Sequence, residues 1–204
     1  MALTGVVLVG FVVGHMLGNL QMFLPDHEAI NDYGEFLRHA LHGTGLWVVR
    51  AVLLVSVILH IGAAWSLTRT NLAARPVAYR VVTPDASTYA SRTMRWSGPI
   101  LALFIVYHLL HFTVGNVHPA FVEGDVYRNV IVGFSVWPVA LAYIAAMFAL
   151  GLHLRHGLWS MLQSIGASHP RWNTARDRAA IALTLIVVLG FISVPLAVLA
   201  GVLK

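Results

Sequence analysis

The chain has 204 residues, 58% of them hydrophobic and only 10% charged, with a mean hydropathy of +0.77. That composition excludes a soluble globular domain of this length and defines an integral membrane protein. The net charge of +5 and pI near 10.1 come from arginines set in two loops and give no reason to invoke nucleic acid, while the lack of cysteine excludes disulfides, thiolate metal ligands, iron–sulfur ligation and thioether-bound heme.

Five stretches reach the roughly 20 residues that a spanning helix needs; they are 3–24, 46–68, 97–116, 136–160 and 179–202, here spans I to V of one transmembrane domain covering 1–204. None shows the period-two alternation of a membrane barrel, so the predicted fold is all-α. Span I has no basic n-region and no small-residue cleavage site, and cleavage would discard His15, so it is read as a helix and not as a signal peptide. A basic residue is expected just before it, which leaves room for a start upstream of Met1. The loop after span I is acidic, with Asp26, Glu28, Asp32 and Glu35; the loop 69–95 after span II carries Arg69, Arg75, Arg80, Arg92 and Arg95. Glu123 and Asp125 follow span III, and the loop 161–178 before span V carries Arg171, Arg176 and Arg178. Basic loops stay on the cytoplasmic side, which places the N-terminus inside, the C-terminus outside, and the protein in the cell inner membrane as a multi-pass chain. His27, His39, His42, His118 and His169 fall in the predicted loops and are expected to be solvated.

The first four spans form a duplicated two-helix unit. His15 and His108 lie 93 residues apart, as do His60 and His153. Met1, Thr4, Gly5, Phe11 and His15 align without gaps on Met94, Ser97, Gly98, Phe104 and His108, and Trp65-Ser66 meets Trp159-Ser160 after a slip of one residue. Duplicated helix pairs in a membrane put equivalent residues at equal depth about a pseudo-two-fold axis. At about 1.5 Å per residue, His15 and His108 lie roughly 12–13 Å from the outer surface, and His60 and His153 roughly 21–25 Å from it.

One intramembrane histidine has an ordinary explanation, a hydrogen bond to a neighbouring helix. Four in register point to two noncovalent hemes b, ligated by His15/His108 and by His60/His153, in a bundle of spans I–IV. Two axial imidazoles leave iron no open position, which favours low-spin electron transfer over oxygen activation. Structural zinc would want four clustered ligands. His111 and His156 have Gly18 and Ala63 at the duplicated positions; they suit either heme-propionate hydrogen bonding or plain helix-end polarity. Gly14, Gly18, Ala64 and Gly157 would let a porphyrin approach the backbone, or serve ordinary helix packing.

The runs Gly14-His15-Met16-Leu17-Gly18-Asn19-Leu20-Gln21, Ala29-Ile30-Asn31-Asp32-Tyr33, Arg95-Trp96-Ser97-Gly98 and Gly157-Leu158-Trp159-Ser160 with Gln163-Ser164-Ile165-Gly166 carry a resemblance over nearly the whole chain. It resembles the cytochrome b subunit of type B succinate dehydrogenase/fumarate reductase, the five-helix diheme anchor of complex II relatives. The resemblance implies flavoprotein and iron–sulfur subunits on the cytoplasmic side, heme ligation by His15, His60, His108 and His153, and a membrane quinone, by family menaquinone. Some fumarate reductases carry a glutamate two residues before the last ligand, linked to proton transfer; Gly151 stands there. Ser91, Arg95, Trp96 and Ser97 are similar to an inner quinone-site pattern with Met94 in place of its histidine, and read equally as a helix start with a snorkelling arginine. The acidic outer loop is the second quinone candidate. A hydrogenase- or formate-dehydrogenase-type diheme anchor shares the bis-histidine logic but not these motifs, and a heme-free anchor or a transporter is the non-redox alternative.

The offset generates a direct test. His108→Ala is expected to remove one heme from the purified protein, measured by pyridine hemochrome, whereas His111→Ala keeps both; the opposite result would reject the duplicated-ligand assignment.

Overall fold

A computed structural model describes residues 1–74, 89–167 and 169–204, and the side chains of 89–92 lie outside the description. Every regular element among the described residues is helical. Helix α1 (Ala2–Asn19) tightens into a 3-10 turn at Leu20–Phe23; α2 is Ala29–His39, α3 Thr44–Ala73 and α4 Tyr89–Leu109, which widens into a π turn at Leu110–Val114. Then come α5 (Val126–Ser135), α6 (Trp137–Ser164) and α7 (Pro170–Leu199). Five of these, α1, α3, α4, α6 and α7, are long and apolar enough to cross a membrane, and the protein is multi-pass.

Where the helices depart from the predicted spans, polar contacts account for it. Helix α7 begins at Pro170, not at 179: proline suits a first helical position, and His169 Nδ1 accepts from the Arg171 N–H (3.2 Å). Its first turns carry the arginines expected in a loop. Asp177 pairs with Arg155 on α6, and the Arg176 guanidinium lies 3.9 Å over the Trp159 ring while Nη1 donates to the Ala167 carbonyl. These contacts let α6 and α7 run past their apolar stretches as one pair. Arg75, Arg80 and Arg92, from the other basic loop, lie outside the described residues or side chains.

At the opposite end the two acidic loops contain α2 and α5, which hydropathy did not predict. Both are short and polar on one side, so they lie outside the pattern of a spanning helix. Asp125 caps α5 by accepting from the Arg128 N–H (3.0 Å). Asn31 of α2 accepts from the Tyr127 N–H (3.0 Å) and donates to Glu28 and Asp125, which ties α2 to α5. His27 stacks on Tyr127 at 4.5 Å. His118, expected to be solvated, is 9% exposed: its Nε2–H donates to the Asn129 carbonyl (2.9 Å) and its Nδ1 accepts from the Ala120 N–H (3.1 Å). Gly115, at φ +84°, closes the π turn where Phe121 packs so tightly that a Cβ would overlap its ring.

The duplicated units are visible as packing. Helix α1 packs on α3, and α4 packs on α6; α7 lies against α6 and also meets α1. Helix α3 finds its principal contacts on α1 and α2, and Ser56 is its only buried residue. It is reached through Leu41, His42 and Gly43, all left-handed, at φ 52°, 56° and 83°. The core collects between α7, α6 and the capping helices, around Met22, Phe134, Tyr143 and Val194, with a second cluster at Met16, Leu154, Leu158 and Val187.

Gly18 is where α2 presses on α1: a Cβ there would lie 2.8 Å from Tyr33 Cε1. Gly18→Val is expected to destabilise the fold by about 1–3 kcal/mol through overpacking, read as a lower thermal midpoint in detergent. Gly10→Val, facing open space, is expected to leave the midpoint within error.

Candidate functional site

The four intramembrane histidines meet in twos, each pair joining one helix of the first unit to one of the second. His15 on α1 and His108 on α4 have ring centres 5.7 Å apart with planes at 74°; His60 on α3 and His153 on α6 are 6.2 Å apart at 55°. The pairs sit at different levels. Thr4 lies beside His60 and Ser97 beside His153, and each is eleven residues before its own helix's His15 or His108, about 16 Å along an α-helix.

The spacing can be compared with a metal bridged by two imidazoles. Metal–nitrogen bonds of about 2.0–2.1 Å, plus about 1.1 Å from each nitrogen to its ring centre, put trans imidazole centres about 6.3 Å apart. The two pairs lie within about 0.6 Å of that distance, so their spacing is compatible with two imidazoles on one metal. Among the described residues, no three His, Asp or Glu side chains converge as a multidentate cation site requires.

The Nδ1 atoms of three of these rings face hydroxyls. Thr4 Oγ1 lies 3.0 Å from His60 Nδ1 and donates its proton to the Met1 carbonyl (2.9 Å). Ser97 Oγ lies 3.3 Å from His153 Nδ1 and 3.5 Å from the Met94 carbonyl. Tyr143 Oη lies 3.4 Å from His108 Nδ1 and 3.0 Å from His111 Nδ1. His15 instead packs between Phe11, stacked at 5.3 Å, and Phe191, and its carbonyl accepts from Asn19 Nδ2 (2.7 Å).

The remaining predicted site residues divide. His111 is fully buried, and its contact with Tyr143 links it to His108. His156 is bound within its own helix, Nε2 to Ser160 Oγ at 3.0 Å. The space beside Gly18 is filled by Tyr33, whereas a Cβ on Gly14 or Gly157 would meet nothing within 4 Å. Ser97 is 3% exposed and turned to His153, while Arg95 is exposed and Trp96 is 74% exposed. The Ser91 side chain lies outside those described. A Cβ on Gly151 would lie 3.0 Å from Val188 Cγ2, so α7 occupies the place where a longer side chain would project.

Tyr143 was not singled out in the sequence because its duplicated position is Arg50, so the offset gives no signal. Thr4 and Ser97 did carry one: they align with each other at the same 93-residue offset as the rings they touch.

The family model described as the succinate dehydrogenase/fumarate reductase transmembrane subunit matches residues 71–192, more than half of the chain. No significant match was found among curated proteins or among solved structures.

Proposed function

We propose, for a chain that belongs to the succinate dehydrogenase/fumarate reductase transmembrane-subunit family, that it is the type B diheme cytochrome b anchor of a succinate:quinone oxidoreductase. The observation that carries this reading is the duplicated histidine pair: two imidazole pairs on equivalent helices, with ring centres 5.7 and 6.2 Å apart. His15 and His108 would hold one noncovalent heme b, and His60 and His153 the other. Bound there, the hemes would supply single-electron transfer between the two membrane faces, with no position left for oxygen. The apolar faces around them exclude water, and each packed helix pair, α1–α3 and α4–α6, supplies one ring to each site.

The other parts of the reading follow the charge pattern. The arginine-bearing end, with Arg69, Arg95, Arg171 and Arg178, faces the cytoplasm, where the flavoprotein and iron–sulfur subunits dock near the Arg92–Gly98 segment, close to the His60/His153 pair. Quinone, menaquinone by family resemblance, reacts near the His15/His108 pair beside the end of α1 and the acidic helix α2. Two levels of metal serve a purpose only if electrons must reach the far side of the membrane. A cytoplasmic-side pocket at Arg95, Trp96 and Ser97 is the second candidate for quinone. The subunit itself would oxidise no succinate.

Pyridine hemochrome of the purified complex is expected to give two hemes per chain. His15→Ala is expected to abolish succinate:quinone activity while succinate oxidation by a soluble dye continues. Normal quinone activity in that assembled variant would place quinone at the cytoplasmic side, and wild-type protein free of heme would reject the diheme reading.

A further inference from the structure

We propose that Thr4 and Ser97 are positioning residues that hold His60 and His153 in the tautomer protonated at Nδ1, leaving Nε2 free to bind metal. A hydroxyl has a single proton to give. The Met1 carbonyl stands 2.9 Å from Thr4 Oγ1, placed to take its proton, and the Met94 carbonyl stands in the same relation to Ser97 Oγ at a longer 3.5 Å, the back-bond that such residues make inside helices. With its proton so directed, each oxygen offers lone pairs to the imidazole beside it, at 3.0 and 3.3 Å, an arrangement that calls for a hydrogen on the ring nitrogen it faces. A neutral imidazole has only one N–H, so the other nitrogen keeps its lone pair.

The arrangement occurs twice. Carbonyl, hydroxyl and imidazole are Met1, Thr4 and His60 in one unit and Met94, Ser97 and His153 in the other, every member displaced by 93 residues. Two copies reached on different helices argue against a chance rotamer. The His15/His108 pair lacks this symmetry: its one hydroxyl contact, Tyr143, is shared with His111. A hydrogen bond from the far ring nitrogen raises ligand basicity and favours the oxidised metal. The His60/His153 centre is thus held at a lower potential than the same ligands would give without their hydroxyls.

This inference rests on the diheme reading for its electrochemical consequence but not for its tautomer. Nitrogen-15 histidine spectra of the reduced full-length protein report the protonated nitrogen of each ring whether or not metal is bound: Nδ1–H at His60 and His153 is expected, and Nε2–H at either overturns the proposal. In protein with two hemes, Thr4→Val and Ser97→Ala are each expected to shift one of the two midpoint potentials upward, further in the double variant, with the second midpoint unmoved and Thr4→Ser restoring the first. Both midpoints unmoved in the double variant at full heme content would overturn it. Wild-type protein without heme but with Nδ1–H at both rings would reject the diheme reading while supporting the hydroxyl assignment.

Discussion

An imidazole inside a hydrocarbon layer has to find polar partners within the protein, because no water is at hand to satisfy it. Much of the arrangement follows from that constraint. Four rings on four apolar helices face one another in twos, and their far nitrogens turn to Thr4, Ser97 and Tyr143. The Thr4 and Ser97 hydroxyls also reach carbonyls of their own helix, and Tyr143 a second buried ring, that of His111. Helix–helix contact is closest between α6 and α7, α4 and α6, and α1 and α3.

Helix α7 stands outside the duplication and acts as the brace. It lies against α6, touches α1, and is the most buried of the long apolar helices. Its contacts are shaped by small residues: Gly151 admits Val188, and Gly190 admits Met16, whose side chain a Cβ at that point would overlap. The Arg155–Asp177 pair and the Arg176–Trp159 stack fasten the seam at one end. At the other end α2 and α5 close over the bundle through Asn31.

The sequence makes legible whatever depends on hydropathy or on the repeat: the five long helices, the duplicated units and the partners of the four histidines. It conceals features held by polar contacts between distant residues. Helices α2 and α5 are too short and polar to register as spans, and what fixes them is mutual, Asn31 to Tyr127 and Asp125. The start of α7 was hidden because arginine reads as loop until Asp177 and Trp159 are seen to be within reach of α6. His118 reads as solvated by position, and its burial depends on Asn129 supplying an acceptor eleven residues away. Ser97 resembled part of a quinone motif, but its neighbour in space is His153, a relation already implicit in the alignment of Thr4 with Ser97.

The approach to α3 has a consequence for how the bundle is held shut. Leu41 and His42 adopt left-handed backbone without the freedom of glycine, at a cost of about 1–2 kcal/mol each, and the helix they launch rests mainly on α1 and α2. The protein therefore invests least in the one long helix that carries His60. Any tie made at that ring therefore matters more to α3 than to the other long helices, because α3 has the least burial of its own to hold it.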